Sequence, residues 1–183
     1  MEDFDVGIAI TFGAATLRER AATGEAMLEG LYDEYAHSLY RYALSILGTP
    51  EDAEDAVQEL FIRLAREHKR LKGIRNMKAY LFTGARNTAY NILRSRKRKD
   101  KLNEAMCSDF LVRFASHTVD RSEELCEAFA ALSIEQREVL ALKIFDGMTL
   151  NEIAQTIGAS INTVGSRYRY GIAKLREALK QDT

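Results

Sequence analysis

The stretch TLNEIAQTIGASINTVGSRYRYGIAKLR, residues 149–176, decides the architecture of the C-terminal part of the chain. A short helix is expected over Leu150–Ile157, then a tight turn at Gly158-Ala159, then a second helix after Ser160. Gly158 stands where the turn demands a positive φ, which glycine adopts without a steric penalty. Ala154 is small where the two helices would cross, and Val164 would pack the second helix back on the first. Ser160 can offer its hydroxyl oxygen as the N-cap of the second helix. Asn162, Thr163, Ser166, Arg167 and Arg169 would then project from its exposed side. An amide, hydroxyls and guanidinium groups suit phosphates and base edges in a DNA major groove. The pattern is a helix-turn-helix. The alternative is a plain helical hairpin with a basic solvent face, and the simultaneous agreement of the Ala, Gly and Val positions favours the helix-turn-helix over it.

Moving toward the N-terminus, Asp146-Gly147 breaks the chain ahead of this motif. Leu125, Phe129, Leu132, Val139, Leu140 and Ile144 recur at helical spacing and supply the core of a small domain starting at Ser122. Residues 100–121 lack firm periodicity and read as a linker. Before them, a helix is expected from Met77 to Arg98, with Leu81, Phe82, Ala85, Ala89 and Ile92 or Leu93 inward. Thr83, Asn87, Asn91, Arg94 and Arg98 occupy its opposite face. Residues 68–76 read as a basic loop broken by Gly73. Further back, Thr49 precedes Pro50, with Glu51, Asp52, Glu54 and Asp55 following. That is an N-cap, a proline at the first helical position and acids at the positive end of the helix dipole. Ala53, Val57, Leu60, Phe61 and Leu64 form the apolar stripe of this helix. A preceding helix runs from Met27 on Leu28, Leu31, Tyr35, Leu39, Tyr42 and Ile46, and Gly48 ends it. Residues 4–12 alternate apolar and small or polar residues, as a strand would, but they have no partner strand, so an N-terminal extension over residues 1–26 is equally consistent.

The composition supports helices throughout. Ala, Leu, Glu, Lys and Arg dominate, and the 183 residues include one proline and no tryptophan. The expected fold is all-α: two small helical domains, 27–99 and 122–183, joined by a flexible linker over 100–121.

Net charge is only −1, but it is segregated along the chain. Residues 1–62 carry 13 acidic and 3 basic side chains, residues 63–101 carry 2 acidic and 14 basic, and residues 102–138 carry 8 acidic and 3 basic. Such blocks point to a polyanionic partner for the central segment. Within it, Lys69, Arg70, Lys72, Arg75, Lys78, Arg86, Arg94, Arg96, Lys97, Arg98 and Lys99 supply charge for a phosphate backbone. Tyr80, Phe82 and Tyr90 supply rings, and Asn76, Asn87 and Asn91 supply hydrogen bonds to bases. Single-stranded nucleic acid is bound by that mixture, although Phe82, lying on the apolar stripe, belongs rather to the core. Asp55, Glu59, Ile62 and Arg66 share one face of the capped helix, with Gln58 at its edge. Spacing alone makes that a solvated surface.

Two cysteines, Cys107 and Cys126, imply no disulfide framework and suit a reducing cytoplasm. With His117 between them they lack the paired spacing and fourth ligand of a zinc site. No apolar run reaches the ~20 residues of a membrane span, so no membrane insertion is expected. The acidic start, Met1-Glu2-Asp3-Phe4-Asp5, is unlike a secretory signal. Neither a phosphate loop nor a Gly-x-Ser-x-Gly elbow is present, and His37, His68 and His117 are scattered. The chain therefore reads as no enzyme and calls for no cofactor. A nuclease holding magnesium on the carboxylates of 51–59 is the enzymatic rival, testable with Mg²⁺ and labelled DNA.

Taken in order, three segments resemble one family. Residues 50–67 (PEDAEDAVQELFIRLARE) look like region 2.2 of extracytoplasmic-function sigma factors, residues 76–98 resemble regions 2.3 to 2.4, and residues 132–176, opening LSIEQREVL, resemble region 4. The resemblance covers roughly residues 28–180, and residues 1–26 fall outside it. It implies a protein that binds core RNA polymerase and directs it to promoter DNA. The region 2.2 helix would dock on the β′ clamp through Asp55, Gln58 and Glu59, with Ile62 on the same face. Region 2.3–2.4 would capture the melted −10 strand through Lys72, Arg75, Asn76, Lys78, Tyr80, Arg86, Asn87, Asn91, Arg94 and Arg98. Region 4 would read the −35 duplex through Asn162, Thr163, Ser166, Arg167, Arg169 and Tyr170, and touch the β flap. An anti-sigma factor is the family's usual further partner, and the free protein would be a monomer. Tyr80 stands where the family often has tryptophan, Asn91 where it has aspartate, Gly165 where it has a basic residue, and Tyr170 where it has arginine. A regulator of the two-component or quorum type would explain residues 132–176, but not the acidic helix face or the basic block.

Overall fold

A computed structural model describes residues 25–67, 71, 73–99, 123–178 and 180. The strand-like reading of 4–12, the linker and residues 68–70 and 72 of the basic loop lie outside these residues. The helices are α1 (Glu25–Leu47), α2 (Pro50–Arg66), α3 (Met77–Lys99), α4 (Glu123–Ala130), α5 (Ile134–Ile144), α6 (Leu150–Ile157) and α7 (Ile161–Ala178). No strand occurs among the described residues. Helices α1, α2 and α3 pack on one another, α4 to α7 form a second group, and the groups meet where α5 lies on α1 and α6 on α3.

The apolar spacing places each inner face as expected. Leu31, Leu39, Tyr42 and Ile46 of α1 are buried, as are Ala53, Val57, Leu60, Phe61 and Leu64 of α2 and Leu81, Phe82, Ala85 and Ala89 of α3. Gly48 ends α1 at φ +77°. Helix α2 does begin at Pro50, but Thr49 is not the side-chain cap that its position suggests. Its hydroxyl donates to Asp52 at 3.0 Å, and its oxygen accepts from Arg96 Nη2 at 3.0 Å. Arg96 also pairs with Asp52. A cation from the far end of α3 thus claims the oxygen that would otherwise have met the helix N–H groups.

Two close approaches set the helix spacing. A Cβ added at Gly84 of α3 would lie 2.6 Å from Leu60 Cδ1 of α2, and one at Gly171 of α7 would lie 2.9 Å from Leu140 Cδ1 of α5. Leu60 is fully buried, so it can give way only by displacing packed neighbours. Gly84→Ala should therefore destabilise by about 1–3 kcal/mol through overpacking. Gly30 of α1 has nothing within 4 Å of such a Cβ. Gly30→Ala should instead stabilise by about 0.5–1 kcal/mol, because glycine loses more backbone entropy in a helix. Urea unfolding of the two variants should move in opposite directions, and equal shifts would refute the close-approach account of Gly84.

In the second group, Ser133 and Gln136 form a capping box at the start of α5, and Thr149 and Glu152 form another at the start of α6. Each satisfies two otherwise unpaired N–H groups. Phe129, Leu132, Val139 and Leu140 are buried as the spacing predicts. Ile144 is not, being 51% exposed. It is the last residue of α5, and the chain then turns so that the buried Met148 and the partly buried Phe145 take the interior positions.

Candidate nucleic-acid interface

Helix α6 ends at Gly158, whose φ of +67° reverses the chain, and Ala159 N–H donates to the Ala154 carbonyl across the turn. Ser160 Oγ then accepts from Thr163 N–H at 3.1 Å, as a cap should. Val164 is fully buried. With Val164, Gly171 and Leu175 inward, Asn162, Thr163, Arg169 and Tyr170 are exposed, and Ser166 and Arg167 partly so. Arg169 Nη2 donates to Ser166 Oγ at 3.4 Å, one turn away. A shallow, open groove lies between this helix and the start of α5, lined by Ser133, Glu135, Gln136, Asn162, Thr163, Ser166, Arg167 and Tyr170. All six residues expected to read duplex DNA except Arg169 line it. Glu135 stands at the same opening with its carboxyl held below the usual range, chiefly by a backbone N–H hydrogen bond.

On α2, Asp55, Gln58, Glu59 and Ile62 are all exposed. Ile62 is 41% exposed although apolar, so this face combines acids with one uncovered aliphatic side chain.

On α3 the expected residues divide between two stripes. Tyr80, Asn87, Asn91 and Arg94 are exposed, with Arg75 and Asn76 exposed just before the helix. Asn76 caps α3, its Oδ1 accepting from Ala79 N–H at 3.0 Å. Asparagine directly ahead of a helix is a favoured cap, so the sequence itself carries the signal for this role. The neighbouring stripe is covered by the second group of helices. Lys78 Nζ donates to the Asp146 carbonyl at 2.7 Å, Thr83 Oγ1 to the Thr156 carbonyl at 3.1 Å, and Arg86 Nε to Glu138 Oε1 at 2.6 Å. Thr83 is thus not on the open face that its spacing suggests. Phe82 lies in the core against Tyr42, and Tyr90 lies under Arg86, whose guanidinium carbon is 4.5 Å from the ring centroid. Lys72 and the Arg98 side chain lie outside the described residues.

Glu138 was not singled out by sequence. Its carboxylate is 0% exposed and accepts from both Arg86 and the Tyr42 hydroxyl, the latter at 2.7 Å. Burial first, and the adjacent Glu138 charge second, push the Tyr42 hydroxyl well above its ordinary range, so it stays a donor. The available signal was the apolar surround: Ile134, Ala141 and Leu142 stand four before, three after and four after Glu138, which places it on an inner face.

Residues 31–99 match the family model for sigma-70 region 2, and residues 128–177 match that for sigma-70 region 4. The ECF RNA polymerase sigma factor SigL of Mycobacterium tuberculosis is 33% identical over 166 residues, covering 88% of this chain and 93% of SigL. The chain belongs to the ECF RNA polymerase sigma factors. As a sigma factor it binds core RNA polymerase and promoter DNA in transcription initiation, with most of α1 and all of α2 and α3 inside the region 2 match and α5 to α7 in the region 4 match. RNA polymerase sigma factor SigV of Bacillus subtilis is 24% identical over 164 residues, 90% of this chain and 98% of SigV. Among solved structures, RpoE of Bartonella quintana, in complex with the anti-sigma factor NepR, gives a TM-score of 0.62 at 25% identity over 85% of this sigma factor and 99% of RpoE. CnrH, in complex with the cytosolic domain of CnrY, gives 0.65 at 23% identity over 89% of this chain and 94% of CnrH, a likeness of fold. No helix among the described residues is long and apolar enough to cross a membrane.

Proposed function

We propose that the exposed residues divide the work of a sigma factor among three helices. Asp55, Gln58, Glu59 and Ile62 of α2 dock on the β′ clamp of core polymerase. Arg75, Asn76, Tyr80, Asn87, Asn91 and Arg94 meet the melted −10 strand, joined by Lys78 and Arg86 once region 4 moves away, with Lys72 and Arg98 extending the basic path. Asn162, Thr163, Ser166, Arg167, Arg169 and Tyr170 of α7 read the −35 duplex, and region 4 meets the β flap. The protein turns over no substrate, acts in the cytoplasm as a monomer until it joins polymerase, and is held in check by an anti-sigma factor. The last partner is supported by RpoE, solved with an anti-sigma factor.

The observation that carries this reading is the second helix of the helix-turn-helix. Val164, Gly171 and Leu175 are buried, while Asn162 and Thr163 of its first turn and Arg169 and Tyr170 beyond it face outward. Recognition helices place their N-terminal residues on base edges in this way. Run-off transcription with purified core polymerase tests it, since specific transcripts should appear only when this protein is added. If a control sigma factor gives transcripts from the same genomic fragments and this one gives none, the reading fails.

Base and phosphate contacts can be separated within the holoenzyme. Ser166→Ala and Arg169→Ala should alter discrimination between matched and mismatched −35 sites by about 1–3 kcal/mol. Lys174, exposed farther along α7, should act on phosphate alone. Lys174→Ala should weaken all sites alike and reduce the slope of log K against log salt by about 1. Equal effects of the three changes on matched and mismatched sites would refute the division.

A further inference from the structure

Two residues of α7 to which no role has been given lie among those assigned to DNA. Ile161, the first residue of the helix, is 51% exposed. Asn162 and Thr163 beside it are exposed and polar. The isoleucine is thus an apolar side chain set among hydrogen-bonding groups, on the turn that a recognition helix presents to base edges. Gly165 follows four residues later, and a Cβ added to it would find nothing within 4 Å. Gly171 on the same helix is different, because Leu140 Cδ1 would lie 2.9 Å from the Cβ it lacks. No neighbour inside the protein requires Gly165 to be bare, and glycine weakens a helix relative to alanine.

Either observation alone says little. Single exposed apolar residues are ordinary on protein surfaces, and Gly30 of α1 is as unencumbered as Gly165. Together they define a shape. Residues four apart lie on one helix face, so Ile161, Gly165 and Arg169 form a single stripe. Arg169 Nη2 ties that stripe to Ser166 of the adjacent one at 3.4 Å. From its first residue the stripe runs apolar, bare, cationic. A base edge can come closer to the backbone at Gly165 than at any position bearing a side chain. In the major groove the apolar feature of a base edge is the C5-methyl of thymine. Seated over Gly165, that methyl would meet Ile161 one turn away and leave water on contact.

We infer that Ile161 and Gly165 together read a thymine of the −35 element, the glycine leaving room for its C5-methyl and the isoleucine covering it. The inference rests on the assignment of α7 to the −35 duplex. It adds a contact of shape to the hydrogen bonds assigned there, and makes these two residues determinants of specificity. The basic side chain that the family often carries at position 165 would fill the space, so the contact belongs to this chain's own sequence.

The test uses the holoenzyme and a promoter fragment that gives a specific run-off transcript. Each −35 thymine, on either strand, is replaced in turn by uracil, which differs only in lacking the C5-methyl. Kd is measured for wild type, Ile161→Ala and Gly165→Ala. With wild type, uracil at one position should weaken binding about fourfold, the effect of one buried carbon group. Ile161→Ala should bind the thymine and uracil fragments alike. Gly165→Ala places its own methyl in the space, so it should lose affinity for the thymine fragment, keep it for the uracil fragment, and so reverse the preference. Both variants should fold, since Ile161 is half exposed and a Cβ at 165 meets nothing. If one does not, the other carries the test alone. Suppose that uracil weakens wild-type binding nowhere, while Arg169→Ala still alters −35 discrimination. The methyl contact is then overturned and the assignment of α7 stands. A uracil effect of undiminished size in either variant would overturn the contact as well. If neither uracil nor Arg169→Ala changes discrimination, or no fragment gives a transcript, the −35 assignment fails and the inference with it.

Discussion

Phe82→Ala should cost about 3–5 kcal/mol of folding stability, the range for deleting a fully buried phenylalanine ring. Phe82 is 0% exposed, packs 5.3 Å from the Tyr42 ring, and stands on the same stripe as Leu81, Ala85 and Ala89. Losses of that size are a large part of a domain's whole stability, so the variant should unfold in mild denaturant and lose every activity at once. Tyr80, two residues earlier, is 37% exposed. Tyr80→Ala should leave stability within about 0.5 kcal/mol, yet weaken capture of a single-stranded −10 oligonucleotide by about 1–3 kcal/mol, the worth of one stacked base. Urea melts beside oligonucleotide titrations of the holoenzyme decide it. A Phe82→Ala protein of near wild-type stability, with only its DNA capture impaired, would show that the ring serves DNA and not the core.

Charge reversal on α2 should have the opposite profile. Asp55 and Glu59 are exposed and lie off the buried Ala53, Val57, Leu60 and Leu64. Converting both to lysine should reduce affinity for core polymerase by about 2–5 kcal/mol, because like charges would meet and partners would be left unpaired; that is a loss of about 30-fold or more. Folding should change little. Glu59→Lys places two cations four apart with Arg63, which costs about 0.2–0.5 kcal/mol on a helix surface. Asp55 lies nearer the helix start, where some favourable dipole interaction is lost as well. Glu59→Lys alone is therefore the cleaner variant. Core-polymerase affinity measured beside a thermal melt separates the outcomes, and undiminished binding by a folded double variant would remove α2 as the docking face.

Local rules reach far into this chain. The turn at Gly158, the cap at Ser160 and the bounds of α6 follow from residues a few positions apart, as do the inner stripes of α1, α2 and α3. What those rules miss depends on residues far away in sequence. Thr49 has every attribute of a cap until Arg96 of α3 takes its oxygen. Ile144 has core spacing, but the helix carrying it stops there. Lys78 and Arg86 read as open cations, and only the approach of Asp146 and Glu138 shows them engaged. Glu138 itself looks like one more surface acid unless its apolar neighbours on α5 are counted. Recognition of the family needed none of this, because it rests on the order of three segments.

The missing side chain at Gly84 has a mechanical consequence. With Leu60 so close to its Cα, α2 and α3 are fitted to one another near the middle, and Arg96 clasps Thr49 and Asp52 nearer the opposite end of α3. Two anchor points along a pair of rods remove sliding and rotation alike. On the proposed assignment of α2 to polymerase and α3 to the melted strand, the direction in which that strand leaves the enzyme surface would be inherited from the helix pair, with no adjustable joint between grip and guide.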